Sequence, residues 1–105
     1  MNSTNLYELF STDPVEYNKQ HLKSRLALTL ISLIRSKGWN QSKASECLQV
    51  SQPRVSDLMR GKVDKFSVDA LLEMIFRLGF KFEYLFDIPD GTEAILEMKL
   101  KKAML

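Results

Sequence analysis

A chain of 105 residues is enough for one domain with a modest core. At 45% hydrophobic and 27% charged residues, its composition excludes wholesale disorder. One cysteine excludes an internal disulfide or a thiolate metal cluster, and a net charge of +2 is too weak to name a partner. The distribution of that charge says more. Residues 35–65 hold seven cations (Arg35, Lys37, Lys43, Arg54, Arg60, Lys62, Lys65) against Glu46, Asp57 and Asp64, a net +4 that leaves −2 for the remainder. Cations gathered on one segment are the footprint of a polyanion-binding unit, the bland alternative being a solvated charged face.

Residues 1–18 form an acidic, loosely patterned N-terminal segment, in which Leu6, Leu9 and Phe10 can share one face of a short helical turn. Asp13-Pro14-Val15-Glu16 is a helix start: Asp13 caps, Pro14 suits the first helical position and Glu16 can reach back to complete a capping box. Val15, Leu22, Leu26, Leu30, Leu33 and Ile34 then fall on one helical face. The helix begins at residue 14 or at residue 20, and Lys37-Gly38 ends it.

A second helix is expected from Gln41, capped by Asn40, to about Leu48. A third starts near Gln52, capped by Ser51 and with Pro53 in its first turn, and stops at Arg60-Gly61. A fourth follows Ser67, with Phe66 stapled onto Leu71 and an apolar face of Leu71, Leu72, Ile75 and Leu78, and ends at Gly79. Beyond Gly79 the period becomes two. Phe80, Phe82, Tyr84, Phe86 and Ile88 alternate with Lys81, Glu83, Leu85 and Asp87, and after the turn cluster Pro89-Asp90-Gly91-Thr92 the residues Ala94, Leu96, Met98 and Leu100 alternate with Ile95, Glu97, Lys99 and Lys101. This spells a β-hairpin, with a helix over residues 93–104 as the competing reading. A lone two-stranded hairpin is marginal in water. Its aromatic face must pack on the helices or pair with a second copy, and Phe80, Phe82, Tyr84, Phe86, Leu96 and Met98 are the candidate dimer interface. The expected fold is thus a mainly α helix-turn-helix bundle of four to five helices followed by a hairpin, divided at residues 1–18, 19–79 and 80–105.

Within residues 40–62, Ala44, Leu48, Val50, Val55 and Leu58 occupy the inward positions of two helices crossing at a tight turn, and Ser45 supplies a small side chain at the crossing. The natural partner of such a unit is double-stranded DNA. The major groove admits a helix and displays a distinguishable hydrogen-bonding code. The candidate base readers are Gln52 (adenine), Arg54 (guanine, or a phosphate), Ser56 and Asp57 (a cytosine amine). Asn40, Gln41, Ser42, Lys43 and Ser51 suit the sugar-phosphate backbone through side chains and free amides, and Arg60, Lys62 and Lys65 are candidate anchors beside it. The competing readings are a plain first-turn polar residue for Gln52, a solvated cation for Arg54, and a surface charge or a partner for Arg60 in Asp57.

These residues carry a resemblance. Residues 22–79 are similar to the helix-turn-helix of the phage repressor, Cro and XRE family, which implies a lambda-repressor-like bundle. The run Gln52-Pro53-Arg54-Val55-Ser56-Asp57-Leu58 with Gly61-Lys62 resembles the HigA-type antitoxin subset, where a Phe-Ser helix start, a Leu-Gly end and a short β segment also follow. Gln49 departs from the pattern, which has glycine there for a left-handed backbone. The resemblance implies a dimeric, sequence-specific repressor of its own operon on a pseudo-palindromic operator, and a small RelE/HigB-like ribonuclease toxin as a candidate partner. The acidic residues 1–18 or the hairpin would engage that toxin. A phage-type repressor without a toxin, and an interaction module without DNA binding, are the alternatives.

Other chemistry finds little purchase. His21 is the single histidine and lacks a second ligand at metal spacing, no serine nor Cys47 has an evident base partner, and no glycine-rich loop cradles a phosphate. The expectation is therefore no enzyme, no metal and no cofactor. With no signal peptide expected and no apolar run long enough to span a bilayer, the expected location is a bacterial cytoplasm, the gene being bacterial or phage-borne.

Overall fold

The computed structural model describes residues 13–91 and 93–103. The face formed by Leu6, Leu9 and Phe10, and Thr92 of the turn cluster, lie outside them. Among the described residues four α-helices are followed by one hairpin: α1 (Pro14–Ser36), α2 (Gln41–Leu48), α3 (Gln52–Met59), a 3₁₀ turn (Val63–Lys65), α4 (Val68–Arg77), β1 (Phe80–Asp87), a second 3₁₀ turn (Pro89–Gly91) and β2 (Ile95–Lys102).

Helix α1 runs unbroken through 17–21. The Asp13 carboxylate accepts from the amides of Val15 and Glu16 at 3.0 and 3.3 Å, with Pro14 in the first turn. The Glu16 carboxylate accepts from Gln20 Nε2 at 2.9 Å, one turn along the helix. The expected apolar face needs correction at its start. Val15 and Leu22 are exposed, and burial begins at Leu26, continuing through Ala27, Leu30, Ile31 and Ile34. The other three described helices gather around the second half of α1, where its buried side chains lie. Of the two expected starts the helix takes residue 14, so residues 14–18 of the N-terminal segment are the first turns of α1.

Among the described residues fourteen apolar side chains form one buried core, to which α1 contributes Leu26 to Ile34, α2 Ala44 and Leu48, α3 Val55 and Leu58, and α4 Leu71, Met74 and Ile75 with Leu78 at its C-cap. Phe66 at 2% exposure and Leu71 at 0% lie in it together, as the staple requires. Leu30, Leu48, Leu71 and Ile75 have no exposed area. The core contains no polar or charged side chain among the described residues.

The hairpin pairs antiparallel from Phe80↔Lys102 to Asp87↔Ile95, so residues 95–102 are a strand and not a helix. Its apolar face divides along its length. Phe80, Phe82 and Leu100 are half-buried against the helical core, whereas Tyr84, Phe86, Leu96 and Met98 are exposed. Phe80 and Phe82, expected at a dimer interface, thus anchor the hairpin within the chain. Phe82 meets Phe76 of α4 edge to face, their ring centroids 6.1 Å apart. Lys102 closes the base, its ammonium donating to the Leu78 carbonyl at 2.9 Å and lying 5.1 Å from the centre of the Phe80 ring.

Candidate nucleic-acid interface

Each of the two short helices is fixed at both ends by local chemistry. Asn40 Oδ1 accepts from the Lys43 amide at 2.8 Å to start α2. At the other end Gln49 adopts φ 57°, ψ 44°, the left-handed region that glycine enters most cheaply. Ser45 ties this turn: its carbonyl accepts from the amides of Gln49 and Val50, and its hydroxyl donates to the Val50 carbonyl. The small residue expected at the crossing is therefore also a hydrogen-bonding staple. Ser51 Oγ accepts from the Arg54 amide to start α3, with Pro53 in the first turn. After α3 the chain reverses at Gly61, φ 74°, where a side chain would strain the backbone. Arg77 adds a tether from outside, its Nη1 donating to the Leu48 carbonyl at 3.3 Å and so satisfying the last turn of α2.

With Val55 and Leu58 each 1% exposed, the rotation of α3 is fixed. Gln52 and Arg60 are exposed and Ser56 half-exposed, so these three share the outward side of the helix. Gln41, Ser42 and Lys43 are exposed at the start of α2, where free amides also face outward.

Two of the expected base readers have intramolecular partners. The Arg54 guanidinium stacks 4.0 Å above the Phe66 ring, and its Nη1 donates to the Lys65 carbonyl at 2.7 Å. Its orientation is set by these two contacts, and a planar guanidinium makes both at once as an ammonium cannot. Asp57 lies 3.8 Å from both Lys62 Nζ and Lys65 Nζ. Its partners are thus two of the expected backbone anchors, and not Arg60. Pairs this exposed contribute little stability, but they hold both ammonium groups beside the exit of α3. Ser51 and Asn40 act as caps, which commits their side-chain oxygens to the protein backbone.

Sequence reasoning missed Arg77, Lys102 and the Phe66 platform beneath Arg54. The only linear signal was a cation at a helix C-terminus, which suits Arg77 but cannot say which helix it serves. Trp39 is packed against the core, with the Lys37 ammonium 5.4 Å from its ring centre. No group of three His, Cys, Asp or Glu side chains among the described residues is placed to hold a metal ion, and no helix there is long and apolar enough to cross a membrane.

A family model described as a helix-turn-helix domain matches residues 9–84, about three-quarters of the chain. A comparison with curated proteins gives no match. The matched span contains every element from α1 to the first half of β1, and it supports a DNA-binding regulator.

Proposed function

Because the chain belongs to the helix-turn-helix domain family, we propose that it is a sequence-specific transcriptional repressor that binds a pseudo-palindromic operator as a homodimer. The observation that carries this reading is the outward row of Gln52, Ser56 and Arg60 on a helix whose other face is locked into the core. In the major groove Gln52 pairs with adenine and Ser56 reads the next step, while Lys43, Arg60, Lys62 and Lys65 neutralise phosphates. Arg54, aimed by Phe66, contacts a guanine or the phosphate beside it. The exposed apolar half of the hairpin is the surface on which two copies meet.

Within this reading the protein is the antitoxin of a type II pair, repressing its own operon and neutralising a RelE/HigB-like ribonuclease. The likeness of residues 52–62 to HigA-type antitoxins supports this, and so do the acidic residues 1–18, suited to a basic RNA-cutting enzyme. Footprinting on the gene's own upstream region, with and without the product of any adjacent small reading frame, tests both parts. Protection of a two-fold symmetric site is expected, together with rescue of cells from the adjacent product. Absence of salt-dependent protection would leave an interaction module, and protection without rescue a repressor with no toxin.

A further inference from the structure

The hairpin has a second unsatisfied feature besides its apolar face, and it selects how two copies meet. β1 lies beside α4, whereas β2 has β1 as its strand neighbour and its outer edge carries no strand among the described residues. The Ala103 amide donates to the Gly79 carbonyl, which fixes the phase of the antiparallel ladder. By alternation, Lys101, Lys99, Glu97 and Ile95 bond inward to β1, and the amides and carbonyls of Leu96, Met98 and Leu100 point to the open edge. An open edge of this kind is a template for another strand.

We propose that two copies of this chain join through that edge, β2 against β2 of the second copy, antiparallel and centred on Met98. The order Leu96-Glu97-Met98-Lys99-Leu100 is its own complement when reversed. Met98 faces Met98, Leu96 faces Leu100, and each Glu97 faces a Lys99. Within the chain Glu83 takes Lys101 as its ion-pair partner at 3.4 Å although Lys99 is its directly opposite neighbour in the ladder, and neither Glu97 nor Lys99 has an ion pair among the described residues. Moving the axis by one residue sets Glu97 against Glu97 or Lys99 against Lys99. Like charges directly opposite are destabilising, so the register is specified.

The pairing also brings the exposed apolar side chains of β2 next to those of the second copy. It lays the tip of each copy, with Leu96 at 57% exposure, beside the Leu100 end of the other, where the helices already cover the sheet. Four strands in the order β1-β2-β2-β1 then share one apolar face. This proposal rests on the homodimer of the preceding subsection and names its contact.

The test is a charge swap on the full chain, read by sedimentation equilibrium. Lys99 lies directly opposite Glu83 within the hairpin, so the swap is made in a Glu83→Gln background, where Glu97→Lys and Lys99→Glu should each weaken dimerisation by about tenfold or more, since two symmetric contacts become repulsive. The double variant should return to within about threefold of the Glu83→Gln parent. Folding of each variant is checked by helical circular dichroism. In a Cys47→Ser background, a short bis-methanethiosulfonate linker should join two Met98→Cys copies, whose Cα atoms face each other at about 5.5 Å. It should not join two Asp87→Cys copies. A natural chain that is dimeric, with single reversals that do not dissociate it or a double variant that does not recover, overturns the β2 edge and leaves the homodimer standing. A natural chain that is monomeric at high concentration overturns both.

Discussion

At the scale of single residues, Gln49 and Arg54 show how far a side chain's neighbours decide its role. Gln49 occupies a left-handed position, which costs a non-glycine residue about 1–2 kcal/mol. Glycine loses part of that gain to its greater freedom in the unfolded chain. Gln49→Gly should therefore raise stability modestly, by about 0.5–1 kcal/mol, measured as a higher urea midpoint with an unchanged slope. An unchanged midpoint would mean that Ser45 and its hydrogen bonds relieve the strain. Gln52 and Arg54 separate by the same logic. Gln52 is exposed, so Gln52→Ala should leave stability alone and cost about 1–3 kcal/mol of discrimination at one base pair. Arg54→Ala should lower stability by about 1 kcal/mol as well as operator affinity, because it removes the Phe66 stack and the Lys65 hydrogen bond. Arg54→Lys should not restore either.

At the scale of elements, α3 and the turn that follows it form one electrostatic unit. Asp57 draws Lys62 and Lys65 toward the helix exit, where it also lowers the local positive charge. Asp57→Asn should strengthen binding to random-sequence duplex several-fold and steepen its salt dependence by about one ion. Lost preference at one operator position, with binding to random DNA unchanged, would instead mark Asp57 as a base reader. The caps, helix ends and strand alternation were legible in the sequence because each depends on residues a few positions apart. Asp13, Asn40, Ser51 and Ser67 all cap the helices they precede. The core face of α1 was legible only from Leu26 onward. Val15 and Leu22 continue its period, but periodicity cannot report where neighbouring helices stop.

At the scale of the whole molecule, the hairpin is joined to the helices by a few side chains. Phe82 against Phe76, Phe80 under Lys102, and the Lys102 bond to Leu78 make up the joint. Phe82→Ala should cost about 1–2 kcal/mol, less than a fully buried aromatic, because Phe82 is only half-buried. The loss should appear first as faster hydrogen exchange in residues 80–102, with α1 to α4 still protected. Equal loss of protection everywhere would show that helices and hairpin unfold as one unit. The sequence by itself determined the helix-turn-helix, its outward Gln52 and Arg60, the cationic segment and the hairpin's two faces, because all of these follow from local spacing and composition. Only the tertiary structure decided that Arg54 rests on Phe66, that Asp57 serves Lys62 and Lys65, that Arg77 closes α2, and that half of the hairpin's aromatic stripe is consumed within the chain. Those pairings join groups that sit five to twenty-nine positions apart or on different elements, and they exist only once the core has fixed the relative positions of the helices and the strands.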